Sequence, residues 1–424
     1  MKSRFGYSWL LLPLPAILVA FVYTGWVFES YYWGYLGLMQ LWVLAFSVGF
    51  GLVITQVQEQ LPQSEQPLYV TGESADIRWD IVILVLGALA LAALFYDRYF
   101  LRGIDYFSVG VAKGRALLNQ GNHDSSIFSV FGNFFLYSYL FPLIRSVVLW
   151  EERTAGVRTA VVTFALLELI GVSYLMGGRT AILLTIMVCL GSFVVRRFLG
   201  KPYRPAFFTF SRLFLLAAVA MAAFGVFFWF RSRAFGDGAS LSYFLNICGH
   251  LTQGTSLQCD FGAQSGYWKD LINYAHLVLL YGTHGTWLTE DVVRTGGAGG
   301  WITPQGLFSV FFSRFGVEAP AAAFEGLWVP GPASLLNDFG LWGMLCFSVS
   351  FGVLAGILVG YLRRGYLGFA AYALVFAVAF WFLSFLIFPL NIPGFVISIW
   401  LAVFFWGAYL LLTTIKTLFI ERYS

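Results

Sequence analysis

Long apolar runs separated by short polar stretches organise this chain. A helix that crosses a bilayer needs about 20 mostly apolar residues. The runs that approach this length predict ten spans, over 8–28, 34–56, 79–96, 128–148, 159–177, 180–195, 212–230, 337–361, 366–389 and 395–414. None alternates with the period of a barrel strand, so helices are the expected way to satisfy backbone polar groups inside lipid. The first run is long, holds Pro13 and Pro15 and lacks a following small-residue cleavage site. It reads as a retained span, not a cleaved signal peptide.

Two stretches interrupt the pattern on one side. Residues 97–127 contain DRYFLRGIDYFSVGVAKGRALL, with apolar positions at near-helical spacing and basic residues among them. This predicts a helix lying at or dipping into the interface. Residues 231–336 are too long for a bare connection. They hold an apolar piece near 271–282, the Gly-rich run GGAGG at 296–300 and a second short helical piece at 305–315. A compact cap is expected there. The fold class is therefore an all-α polytopic membrane protein, one membrane domain over 1–424 with two insertions on the same side.

Composition agrees and narrows the class. Hydrophobic residues make up 59% of the 424 and charged residues 11%, where a soluble domain carries about 25% charged. Mean hydropathy is +0.78. Such a chain has too little polar surface to remain dispersed in water. Aromatic residues reach 19%, which suits helix packing and interfacial belts. No repeat, nucleotide-binding fingerprint or P-loop is present, and no nucleic-acid partner is expected.

Charge then fixes an expected orientation. Lys2, Arg4, Arg153, Arg158, Arg196, Arg197, Lys201, Arg204, Arg212, Arg363, Arg364, Lys416 and Arg422 flank span ends that fall on one side of a ten-span chain. The positive-inside rule makes that side the cytoplasm, with both termini on it. The loop 57–78 is polar and weakly acidic and is assigned no function.

The opposite side should be poor in basic residues. Instead it carries Arg98, Arg102, Lys113, Arg115, Arg179, Arg231, Arg233, Lys269, Arg294 and Arg314, together with His123, His250, His276 and His284. Long outer loops escape the rule, which covers Lys269 and Arg294 but not Arg179, Arg231 and Arg233 at span ends. Guanidinium is always charged and holds phosphate oxygens through a planar fork. Arginines converging at a membrane surface thus predict a site for a phosphate or pyrophosphate lipid headgroup. In the turn Gly177-Gly178-Arg179 one helix ends and the next begins, adding the positive potential of a helix N-terminus.

Other candidates are single residues. Cys189 and Cys346 fall in spans and read as packing residues. Cys248 and Cys259 lie in the outer loop, where a disulfide, free thiols or a metal site with His250 are the alternatives; no dense metal-binding spacing appears. Glu168 is the sole acid well inside a predicted span, eleven residues or about three turns before Arg179. Such acids act in function or are held by a structural hydrogen bond or ion pair. Asp338, at the outer start of span eight, can accept a proton, orient an arginine or cap the helix. His276 and His284 flank an apolar stretch and can bind a sugar hydroxyl or serve as a base, or simply make structural hydrogen bonds. Asp237 sits beside Arg231 and Arg233, and Tyr281, Trp301 and Trp328 can stack on sugar rings or pack.

From about 95 to 362 these pieces resemble the Wzy-type polymerases of bacterial O-antigen repeat units. The resemblance rests on YDRYFLRGIDYFSVGVAKGRALL, MGGRTAILL, FRSRAFGDG, YGTHG, FSVFFSRFG and ASLLNDFGLWGMLCFSVSFGVLAG, in that order and on one expected face. The segment CGHLTQGTSLQCDFG matches no pattern of that family. The resemblance implies a GT-C-like glycosyltransferase in the bacterial inner membrane with its site at the periplasmic face, built from the segment 97–127 and the cap 231–336. Donor and acceptor would be undecaprenyl-pyrophosphate-linked glycans, with undecaprenyl pyrophosphate released and no nucleotide sugar, cofactor or metal required. A chain-length regulator protein would be a partner. Arg179, Arg231 and Arg233 would hold the pyrophosphate, with Arg98, Arg102, Arg115 and Arg314 around them and His276 and Tyr281 at the glycan. Asp338 and His284 would orient or deprotonate the acceptor. An O-antigen ligase-like transferase and a lipid-linked oligosaccharide transporter are the alternatives.

Overall fold

A computed structural model of the chain describes residues 7–11, 13–60, 77–105, 117, 126–176, 180–201, 239–252, 257–262, 265–266, 268–297, 328–364 and 368–423. These residues form helices and turns, with no strand. The helices are α1 (Pro13–Phe28), α2 (Trp33–Gln60), α3 (Ile77–Tyr96), α4 (Ile127–Phe135), α5 (Leu140–Val148), α6 (Ala155–Met176), α7 (Thr180–Phe198), α8 (Ala239–Leu251), α9 (Lys269–Thr283), α10 (Gly285–Thr295), α11 (Gly331–Arg363), α12 (Gly368–Leu383) and α13 (Pro393–Tyr423).

Among the described residues eight helical stretches are long and apolar enough to cross a membrane, and α12 is a shorter apolar helix. The protein is therefore a multi-pass, all-α membrane protein. Nine of the ten expected spans fall on these elements, while the expected span 212–230 lies outside the described residues. So do most of 106–125 and the stretch 298–327. Several boundaries differ from expectation, two of them with a physical reason in the sequence. The helix α11 begins at Gly331, six residues before the expected 337, and breaks at Gly340, whose φ of 68° no ordinary helical residue adopts. The helix α12 ends at Leu383, and a short 3-10 turn at Pro389–Asn391 leads to Pro393, the first residue of α13, a position that suits a residue without an N–H.

The fourth expected span is not one helix. It is split into α4 and α5 by the turn 136–139. Pro142 explains the split: it has no N–H to offer Ser138, and its ring would crowd that carbonyl. The Ser138 carbonyl accepts from the Phe141 amide at 3.1 Å instead, and the Tyr137 carbonyl accepts from the Leu140 amide at 3.2 Å.

The chain forms two compact units. The first comprises Met1–Leu52, Ala206–Val353 and Trp381–Asn391. Within it, α2 and α11 cross at backbone distance. A side chain at Gly49 would meet the Val349 carbonyl, and one at Gly352 would meet the Phe46 carbonyl and, at 2.8 Å, the Phe50 amide nitrogen. Ser348 donates to the Trp42 carbonyl at 3.0 Å. Small residues that let backbones meet are a usual basis for helix association in lipid. Trp42, Phe46, Phe50 and Trp381 fill the space beside the crossing, and Phe46 stacks on Trp381 at 4.1 Å.

The second unit comprises Val53–Pro205, Leu354–Phe380 and Ile392–Ser424. Its centre is α3, which packs on α4 and α6, while α5 packs on α6 and α7. The ends of these helices are marked by polar contacts. At one end Asp80, in the first turn of α3, accepts from Arg145 at 3.1 Å and from Arg153, and Arg153 donates to Ser146 at 2.8 Å. At the same end of α5 and α7, Arg196 holds Glu151 through two nitrogens, at 2.9 and 2.6 Å, and Lys201 pairs with Glu152. The Arg196 fork holds the Glu151 carboxyl below the usual carboxylate range although burial opposes this. At the other end of α3, Asp97, Arg98 and Tyr99 meet Ser126 before α4 and Tyr174 and Met176 at the end of α6. The antiparallel order expected for spans three to six is thus realised in this unit.

Candidate functional site

The C-terminal end of α3 is built around a π-helical turn, Asp97–Leu101, in which the Arg102 amide reaches back to the Asp97 carbonyl at 3.0 Å. Such turns widen a helix locally and recur at functional sites. Asp97 is buried and accepts from Arg102 Nε at 2.8 Å and from the Ser126 hydroxyl at 2.5 Å. The same Ser126 oxygen caps α4 by accepting from the Ser129 amide at 3.0 Å. Gly103, with φ of 65°, then reverses the chain, and Ile104 closes onto the Arg98 carbonyl at 2.9 Å.

This frame positions two of the expected arginines. Arg102 uses its Nε on Asp97, and its two Nη groups make no hydrogen bond in the described structure. Arg98 is buried, and its Nη2 lies 3.4 Å from the Met176 sulfur. Met176 is the last residue of α6, directly before Gly177-Gly178-Arg179. The fold therefore brings Arg98 to the C-terminal end of α6, 78 positions away in sequence. Tyr99 and Tyr174 tie the same two helices, their hydroxyls 3.2 Å apart. Arg179, Arg231, Arg233, Arg115 and Arg314, the remaining expected phosphate ligands, lie outside the described residues. Asp237 and Trp301 do as well.

The first unit holds the other candidates. His284 sits at the junction of α9 and α10 and is 1% exposed. Its Nδ1 lies 3.1 Å from the Tyr281 carbonyl and its Nε2 accepts the Trp328 amide at 3.2 Å. That pair requires the neutral ring with its proton on Nδ1. Burial holds its pKa down at about 4, against the opposing hydrogen bonds to backbone. Both nitrogens face backbone groups, which ties the ring to Trp328. Tyr281 lies tilted against Trp328, with ring centroids 5.8 Å apart.

His276 has a different environment. Its Nδ1 is 2.8 Å from the Tyr23 hydroxyl, and Trp26 lies nearly parallel to its ring at 6.4 Å, with Phe261 at 5.2 Å and Phe244 at 6.1 Å. Burial lowers its pKa. Cys248 in α8 and Cys259 are joined by a disulfide, which settles that alternative among the three. Asp338 is partly exposed and accepts from Asn337 at 3.1 Å. It lies within the first segment of α11, two residues before the Gly340 break, and not at the helix start. No hydrogen bond or ion pair joins Asp338 to His284.

Several structural residues were not singled out in the sequence. Glu290 of α10 accepts the Tyr35 amide at 3.0 Å, and a side chain at Gly34 would run into it at 2.7 Å. An acid there complements the N-terminus of α2. Asp80 and Asp97 were equally unmarked, although each stands at an end of the same apolar run. Among the described residues no cluster of three His, Cys, Asp or Glu side chains could hold a metal ion.

The chain matches no family model, no curated protein and no solved structure.

Proposed function

We propose that this membrane protein is a glycosyltransferase of the Wzy type, joining pyrophosphate-linked oligosaccharide repeat units at the outer face of a bacterial inner membrane. The observation that carries the reading is Arg98. A buried guanidinium at the end of a membrane helix marks a candidate headgroup site, and this one stands beside Met176, the residue before Gly177-Gly178-Arg179 in sequence. Arg102, on the next turn, keeps two donor nitrogens beyond its bond to Asp97. The disulfide supports an oxidising compartment for the face that carries α8.

In this reaction the acceptor hydroxyl attacks the anomeric carbon of the growing chain. The bond from that carbon to the pyrophosphate oxygen breaks, and the lipid pyrophosphate leaves with the bonding electrons. Arg98, Arg102 and Arg179 stabilise the charge that develops on it. The hydroxyl proton goes to a carboxylate base.

The test uses purified full-length protein and an undecaprenyl-pyrophosphate-linked repeat unit, without nucleotide. Elongation is expected for the wild type, with Arg98→Ala and Arg179→Ala each slowed on the order of 100-fold, or about 3 kcal/mol of transition-state stabilisation. Wild-type polymer from both variants would overturn the assignment. Cells lacking the protein should accumulate single lipid-linked units; long lipid-linked polymer would instead identify a ligase.

A further inference from the structure

Glu168 lies near the middle of α6 and takes no part in the proposed transfer. It is 6% exposed, and its Oε2 is buried without a hydrogen-bond partner. Facing it is Ser138, fully buried in the turn between α4 and α5, whose hydroxyl oxygen also has no partner. Both oxygens converge on Gly87 of α3. A side chain there would collide with Glu168 Oε2 and come within 2.7 Å of Ser138 Oγ. Three features therefore coincide inside the membrane: an interrupted helix, a carboxyl group with a free oxygen, and a glycine that leaves room for both.

Each feature has a physical requirement. Interrupted backbone at membrane depth persists where protein buries it or where it lines a polar space. An isolated carboxylate in such a place costs several kcal/mol or more, and it persists only when paired or neutralised. The described structure offers no cation. Asp80 with Arg145 and Arg153 lies seven residues along α3 from Gly87, about 10 Å. Asp97, Arg98 and Arg102 lie ten or more residues the other way, about 15 Å. The titratable groups nearby on the packed elements are Tyr137, Tyr139 and Cys189. Tyr139 donates to Thr185 at 2.9 Å, because the Thr185 proton goes to the Ala181 carbonyl at 2.8 Å. None of these groups is positively charged. Two carboxyl oxygens and one hydroxyl are also too few to replace the shell of a metal cation, which takes about six oxygens.

We infer that Glu168, Ser138 and Gly87 form a proton-binding site inside the membrane, in which the carboxyl group takes up one proton from water and holds it toward Ser138. The bond formed is O–H on Glu168, and the charge of the carboxylate is removed by the same step. Ser138 accepts from that O–H. The site is independent of the transferase reading, since none of its residues belongs to the arginine set.

The experiment is infrared difference spectroscopy on the full-length protein in lipid nanodiscs, with melting measured alongside. The wild type at neutral pH is expected to show a protonated-carboxyl carbonyl band that disappears in Glu168→Gln. In Ser138→Ala the band should persist and shift to higher frequency as its hydrogen bond is lost. Glu168→Gln, which mimics the neutral acid, should melt with the wild type. A carboxylate band assigned to Glu168 would overturn the inference. So would a Glu168→Gln protein that fails to fold, or a melting temperature raised by sodium in the wild type but not in Glu168→Gln.

Discussion

The histidines show how far a single residue can be read. All four were expected on one face, His276 and His284 as possible sugar ligands or bases or as makers of structural hydrogen bonds, and their chemistry alone does not separate those roles. The structure gives His284 two backbone partners and complete burial. A pH prediction follows. Its folded pKa of about 4 lies below its ordinary value of 6.5, so the unfolded chain binds the proton more readily. Stability is constant above about pH 6.5 and falls as pH drops toward 4, by up to about 3 kcal/mol. His276 shifts in the same direction and adds to the slope. Melting of the wild type in detergent should decline across that window, and His284→Phe should flatten the decline. Parallel curves would contradict the neutral, doubly bonded ring. A partner 44 positions away, such as the Trp328 amide, has no signature in local sequence, which is why the structural role was not legible there. The arginines were more legible, because charge at an apolar run's end is visible by itself; what could not be seen was that Asp97 would take up one face of Arg102.

At the scale of elements, helix identity was legible and helix continuity was not. Hydropathy locates an apolar run but is blind to a missing N–H within it, so 128–148, which is one crossing in the structure as well, gave no sign of the turn inside it. Pro142 held the signal, and the structure shows its effect four residues earlier at Ser138. The Gly340 break within α11 is of the same kind. Polar residues near span ends carry weight that composition also hides. Asp80 is fully buried with two arginines on it, and its loss would strand both charges between α3, α5 and the turn before α6. Removing one partner from a buried pair costs about 3–5 kcal/mol. Asp80→Ala should therefore lose most of its folded yield or melt far below the wild type. Arg158→Ala, whose guanidinium lies over Trp150 near the surface at 4.2 Å, should cost about 1 kcal/mol or less. Equal melting of the two variants would show that the Asp80 cluster does not hold the helices together.

The whole molecule turns on one stretch, 202–238, which separates the end of α7 from the start of α8. Within the second unit, Arg153, Arg196 and Lys201 share an end with Asp80, and Arg98, Tyr99 and Met176 share the other. The expected span 212–230 lies outside the described residues; within the first unit α8 packs on α9, and His276 of α9 meets Tyr23 near the end of α1, so the disulfide stands at the α1–α2 end of that unit. The Wzy-type reading requires 212–230 to cross the bilayer, because the cap and the arginine turn must face one compartment. Two labels decide it. In intact cells a membrane-impermeant thiol reagent should reach Cys259, the more exposed of the pair, after reduction. A cysteine placed at Glu152, beside Lys201, should react only after permeabilisation. Disulfide formation supplies an independent check, since reducing cytoplasm disfavours it, and closing a loop of 11 residues is worth about 3 kcal/mol to the folded unit. Cys248→Ser with Cys259→Ser should lower melting accordingly, as should reduction of the wild type. Labelling of both positions from the same side would remove span seven, and with it the common face on which the pyrophosphate site depends.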